Sequence, residues 1–427
     1  MPMALALRDR LSRAGALGAI AASFSQALGS FVLQLFAARA LGAAGLGLFA
    51  LMYSVLIMAS AVSTGLIGDS LTMLDRQRDT VRSGLQRWGV IAALTSGLAA
   101  AVAVAVSQTL SLRGSLLLGL AMAAFLLEDV LRRLLMATMR FWSIVLVDCT
   151  GLVVSLATLG LASLAGPLTI DVFLLALLLG QIVSGVVAIP LLPRVERRLA
   201  PWSPAAMTEV GRFGFWRGAQ QSIRPTMMTV ARVLIILAAG RAAFGQLEAG
   251  RVYMAPAMLL VQGVGSYLMS SYARRRNVPL EEMLHKADRA SVLMVGVAVV
   301  LGALATAGAP ALGPLVTGGG YDLAPVAVFG WAMYAASAAA VMPFGSLAAV
   351  RGRQSLIVLF RFADSTLSLV CLWLVLFASG SNVSWSPYAL AVGSFVGGYV
   401  IRTRVLKPLC GRMSDANDSG MEQIHAT

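Results

Sequence analysis

The chain has 427 residues, is 58% hydrophobic and 12% charged, and has a mean hydropathy of +0.82. A water-soluble protein carries about 25% charged residues, so this composition excludes a soluble enzyme and suits an all-α integral membrane protein whose surface faces lipid. The formal net charge of +14 does not imply nucleic acid, because the basic residues lie in short clusters between apolar runs, the pattern of cytoplasmic loops.

The first residues, MPMALALRDRLSRAG, are basic and weakly amphipathic. They lack the order of a cleavable signal and read as a cytoplasmic lead-in to the first span. Apolar stretches of the length a spanning helix needs, about 20 residues, then recur at 15–38, 44–67, 88–107, 114–136, 142–164, 170–192, 213–239, 247–271, 290–308, 323–348, 355–378 and 385–406. That predicts twelve transmembrane helices.

The basic residues test this topology. Starting from the N-terminus, alternate loops hold Arg8, Arg10 and Arg13, then Arg76, Arg78, Arg82 and Arg87, then Arg132, Arg133 and Arg140. The later groups are Arg194, Arg197, Arg198 and Arg212, the cluster from Arg274 to Arg289, the pair Arg351 and Arg353, and Arg402 to Arg412. Twenty-five basic residues fall on that side, and three (Arg39, Arg113 and Arg241) on the other. The positive-inside rule places the richer side, with both termini, in the cytoplasm of a cell-membrane protein.

The opposite loops are short, the longest at 309–322. The 193–212 segment is a longer cytoplasmic linker between a first six-helix bundle (1–192) and a second (213–407), and the polar tail at 408–427 reads as disordered. An even number of spans per half makes the halves a parallel repeat. LGAAGLGLFALMYSVLIMAS from Leu41 pairs with FGQLEAGRVYMAPAMLLVQG from Phe244, setting Gly42 against Gly245 and Gly47 against Gly250. ATMRFWSIVLVDCTGLVVSL from Ala137 pairs with VRGRQSLIVLFRFADSTLSL from Val350.

Three stretches carry a family resemblance: ARALGAAGLGLFALMYSV at Ala38–Val55, EDVLRRLLMATMR at Glu128–Arg140, and LGPLVTGGGYDLAPVAVFGW at Leu312–Trp331. They resemble the first outer turn with the second helix, the basic end of the fourth helix, and the turn before the tenth helix of the polysaccharide transporter (O-antigen flippase) family. That family lies within the multidrug/oligosaccharidyl-lipid/polysaccharide (MOP) superfamily. The resemblance implies two six-helix bundles around a central cavity, alternating access, and export of a lipid-linked glycan.

Charges inside the apolar runs mark a site. A lone arginine at mid-bilayer costs about 2.5–3.5 kcal/mol, and the seventh span carries Arg217, Arg224 and Arg232. At helical spacing they share an arc of roughly 80° with Gln221. Facing lipid, the stripe costs roughly 8–10 kcal/mol; facing a watery cavity it attracts phosphate, and paired with carboxylates it holds the bundle together. Pro225 beside it is expected to bend the helix.

Arg361 and Asp364 are spaced to meet on one face of the eleventh span, and Asp148 lies opposite Arg361 in the repeat alignment. Arg251 and Glu248 read as interfacial. Glu128, Asp129, Arg132 and Arg133 form two i,i+4 pairs, read as a cytoplasmic anchor or an inner-gate network.

No catalytic set, metal cluster or phosphate-binding glycine loop appears in the sequence. The expectation is a flippase or exporter for an anionic lipid-linked oligosaccharide, with Arg217, Gln221, Arg224, Arg232 and Arg361 along the substrate path. Asp148 or Asp364 would bind a coupling H+ or Na+, with no other cofactor. Expected partners are membrane lipid and polysaccharide-assembly proteins, with the protein itself a monomer. The alternatives are a multidrug/cation antiporter of the same superfamily or a major-facilitator-type carrier, the latter faintly suggested by LDRQRD at Leu74–Asp79.

Overall fold

The computed structural model describes residues 2–75, 77–197, 207–274, 278–351, 354–378 and 382–410. Residues 198–206 of the expected 193–212 linker and the tail beyond 410 lie outside the described residues. The described chain is helical, without strands. Among the described residues, ten helices are long and apolar enough to cross a membrane.

In chain order the helices are α1 (Pro2–Ser63), α2 (Asp69–Met73), α3 (Asp79–Val106), α4 (Leu112–Ala137), α5 (Phe141–Ala165) and α6 (Ile170–Leu191). They continue as α7 (Met207–Arg274), α8 (Leu280–Thr317), α9 (Pro325–Val350), α10 (Gln354–Ala378) and α11 (Ser386–Val400). A π-helical turn at Thr64–Gly68 joins α1 to α2, and a second, Ile401–Leu406, extends α11.

Two helices contain a break. Gly42 (φ 66°, ψ 179°) interrupts α1, and Gly240 (φ 83°, ψ 168°) interrupts α7. Both lie in the left-handed region open to glycine at little cost. The second break falls at Gly240 and not at Gly245, the residue aligned with Gly42 in the repeat. Along the described run of α7 the backbone leaves helical geometry at Gly240 alone, so Pro225 does not interrupt the helix.

The expected loop at 309–322 is half helix. α8 runs through Pro310 and Pro314 to Thr317, and Gly318 (φ 82°) ends it by donating its N–H to Pro314 O. This is the left-handed glycine stop of a helix C-terminus. At the other end, α7 already begins at Met207, inside the expected linker.

The chain forms two compact units, Met1–Val233 and Leu234–Thr427. The division lies within α7. In the first unit α3 packs on α4, α4 and α5 on α6, and α1 on α5. In the second, α8 and α11 pack on α9, and α10 on α11. Large apolar side chains point outward from both: Val106 is 79% exposed, Leu164 84% and Val292 74%. Such a surface is stable against hydrocarbon and not against water.

Candidate functional site

In the first unit, α1, α4, α5 and α6 line an open cavity. Its polar wall comprises Ser25, Gln26 and Ser30 from α1, Glu128 and Arg132 from α4, Asp148 from α5, and Gln181 from α6. The charged residues stand on buried faces: Glu128 is 7% exposed, Asp129 2% and Arg132 3%.

The pairing differs from the helical expectation. Arg132 does not pair with Glu128 one turn before it. Its Nε meets Asp148 Oδ1 across the α4–α5 contact at 3.1 Å, and its Nη2 donates to Asp148 Oδ2 at 3.4 Å and to Ala22 O at 2.9 Å. Ser25 donates to Asp148 Oδ2 at 2.5 Å. The second pair is formed as expected: Arg133 Nε lies 3.5 Å from Asp129 Oδ1, while Ser60 donates to Asp129 Oδ2 at 3.3 Å. Arg133 also donates to Thr64 Oγ1 at 2.7 Å.

Glu128 is different. It lines the cavity and makes neither a hydrogen bond nor an ion pair among the described residues. With Asp148 matched by Arg132, the cavity wall carries one further negative charge. A buried carboxylate in that position is costly as a bare anion, and a bound proton, metal cation or ammonium group removes the cost. The sequence marked Asp148 for this role; the structure shows Asp148 already held by an arginine and a serine.

The arginine stripe lies on the first half of α7, within the same unit. Arg217 is one-quarter exposed and its Nε lies 3.7 Å from Asp69 Oδ2, so at this position the pairing alternative holds. It also donates to Gln220 Oε1 at 3.4 Å. Arg232 donates from Nη1 to Ala50 O on α1 at 2.9 Å, and Thr229 Oγ1 lies 3.4 Å from Ser54 O. Arg224 is half-buried and Gln221 exposed. Residues 210–233 of α7 contain no carboxylate, and residues 43–69 contain only Asp69. Across these two stretches arginines outnumber carboxylates.

In the second unit, Arg361 Nη1 lies 3.7 Å from Asp364 Oδ2, and Ser365 donates to Asp364 Oδ1 at 3.1 Å. Asp364 is buried against α11, where a Cβ on Gly397 would lie 2.8 Å from its Oδ2. This is the local pair that the spacing predicts. Arg251 pairs with Glu248, which is 1% exposed. Sequence reasoning did not single out Asp69, Ser25, or the Arg402–Asp288 pair, with contacts of 2.6 and 2.8 Å. These join residues 114 or more apart or sit at helix ends, where helical spacing gives no signal.

No family model and no curated protein matches the sequence. Solved structures do match. An inward-facing multidrug resistance transporter of the MATE family, in the MOP superfamily, has a TM-score of 0.63 at 14% identity, covering 92% of this chain and 95% of that one. An outward-facing MATE transporter has a TM-score of 0.60 at 13% identity, covering 94% of each chain. A MOP superfamily transporter from Pyrococcus furiosus, described as having a binding pocket of reverse polarity that suggests a different function, has a TM-score of 0.59 at 14% identity. It matches over 93% of this chain and 94% of that one. The chain thus has the fold of these multi-pass membrane transporters.

Proposed function

We propose that this protein is a cation-coupled membrane transporter that exports an anionic, lipid-linked oligosaccharide and holds its diphosphate on the arginines of α7. The observation that carries this reading is the arginine run on the first half of α7: Arg217, Arg224 and Arg232 lie in a stretch, 210–233, that contains no carboxylate. Arginine forks match phosphate oxygens, whereas a site for cationic drugs needs carboxylates. The binding pocket of reverse polarity described for the Pyrococcus furiosus transporter supports this reading, since proteins of this fold differ in the polarity of their pockets.

The breaks at Gly42 and Gly240 turn ten helices into twelve crossings. With the basic side inside, both described ends of the chain lie in the cytoplasm. Glu128 is the coupling group, taking up H+ or Na+ beside the Arg132–Asp148 pair.

A multidrug/cation antiporter is the second reading, and the Glu128 cavity favours it, since its wall is acidic. Membrane abundance and glycan export, measured together in Arg224→Ala and Arg232→Ala, distinguish the roles. The proposal expects normal abundance with export abolished, and Lys at either position retaining part of it. Normal export at normal abundance removes the cationic site, and lowered abundance alone makes the arginines structural.

A further inference from the structure

α8 buries one face and leaves the other open along most of its length. Met283, Ala287, Met294 and Ala298 pack against Val341, Phe344, Ala336 and Ala339 of α9. On the opposite side, His285, Lys286, Arg289, Leu293, Val300 and Leu304 are all exposed. At 100° per residue these six share an arc of roughly 100°, so they form one stripe that is polar at its start and aliphatic beyond Arg289.

The aliphatic part has the depth of a leaflet. From Leu293 to Leu304 the rise is about 16 Å, close to half of a hydrocarbon core about 30 Å thick. Gly296 lies on the same stripe, one turn from Val292 and one from Val300, both exposed. A Cβ added there would meet nothing within 4 Å. The missing side chain leaves a notch between two valines.

The polar part carries an unmatched cation. Lys286 Nζ meets Glu282 Oε1 at 2.6 Å, and His285 Nδ1 lies 3.0 Å from Glu281 O. Asp288 is held by Arg402 from the turn that extends α11. Arg289 is exposed and makes neither a hydrogen bond nor an ion pair among the described residues. Over residues 281–289 and 402–407 five cations stand with three carboxylates, so the surroundings of Arg289 leave its charge uncompensated.

We infer that this stripe is a site for one anionic phospholipid, with the headgroup phosphate on Arg289 and an acyl chain along Leu293, Gly296 and Val300. A guanidinium fork matches phosphate oxygens, and its long stem reaches headgroup level from an apolar surface. A free phosphate ion would use the cation alone; the aliphatic track running on from it is what selects a lipid. The inference rests on α8 and not on the identity of the transported solute.

The test uses the full-length protein with Cys149, Cys371 and Cys410 replaced by serine, in vesicles of phosphatidylcholine and phosphatidylglycerol. A fluorophore on Val297→Cys, exposed beside the stripe, reports quenching by lipid brominated on its chains, one headgroup class at a time. Phosphatidylglycerol should occupy the site about fivefold more readily than phosphatidylcholine, the preference that one basic residue at a membrane surface gives. Arg289→Gln should bring the two lipids close to parity and Arg289→Lys should keep the preference. A fluorophore on Leu146→Cys, exposed on α5, should register no change in either variant. Lys286→Gln is read in place of Arg289→Gln, with the same expectation, if the latter does not accumulate. Equal quenching by the two lipids with Arg289 intact, or a preference that survives its loss, overturns the site. A preference abolished by inorganic phosphate, but not by chloride at equal ionic strength, would overturn it in favour of a free-anion site.

Discussion

Arg132 and Asp148 illustrate how a buried pair constrains mutation. Both side chains are nine-tenths or more buried, and each satisfies the other. Removing one partner leaves a buried charge, a loss of about 3–5 kcal/mol. Asp148→Asn and Arg132→Ala should therefore melt well below the parent in detergent. A double replacement, Arg132→Met with Asp148→Leu, should recover most of that loss. Glu128→Gln should behave oppositely: with no partner to lose, it should keep or raise stability while gradient-driven transport disappears and substrate binding persists. Loss of stability in Glu128→Gln comparable to Asp148→Asn would place Glu128 in the structural network. The carboxylates themselves were legible in the sequence, because charge in an apolar run is costly wherever it occurs. Their partners were not, since Arg132 reaches across to α5 and Ala22 while the spacing suggested its own helix.

At the scale of elements, the two glycine breaks decide how many times the chain turns. Gly42 and Gly240 both need positive φ, which costs an L-residue about 1–2 kcal/mol. Alanine at either position should lower the melting temperature or straighten the break, and a melting curve of Gly42→Ala matching the parent would contradict the observed backbone. Apolar length was readable along almost every helix, because lipid demands it. Helix ends were less so: the 309–322 segment read as a loop, whereas the chain stays helical to Thr317, and Gly318 supplies the left-handed stop. The division between the two units, within α7, has no mark in the local composition.

For the whole molecule, the basic asymmetry predicts sidedness. Cysteines placed at Gly319 and at Arg194 should label from opposite faces of the membrane, Gly319 from outside and Arg194 from inside; labelling of both from one face would overturn the topology. The fold accommodates transport, but the solute depends on the charge of one site. The most direct test reconstitutes the purified protein in proteoliposomes under an imposed proton or sodium gradient. It compares translocation of a diphosphate-linked oligosaccharide lipid with that of a cationic dye. The account predicts gradient-dependent movement of the anionic lipid, lost in Arg232→Ala and in Glu128→Gln, and no movement of the dye. Dye transport that survives Arg232→Ala, with the anionic lipid left stationary, would contradict it.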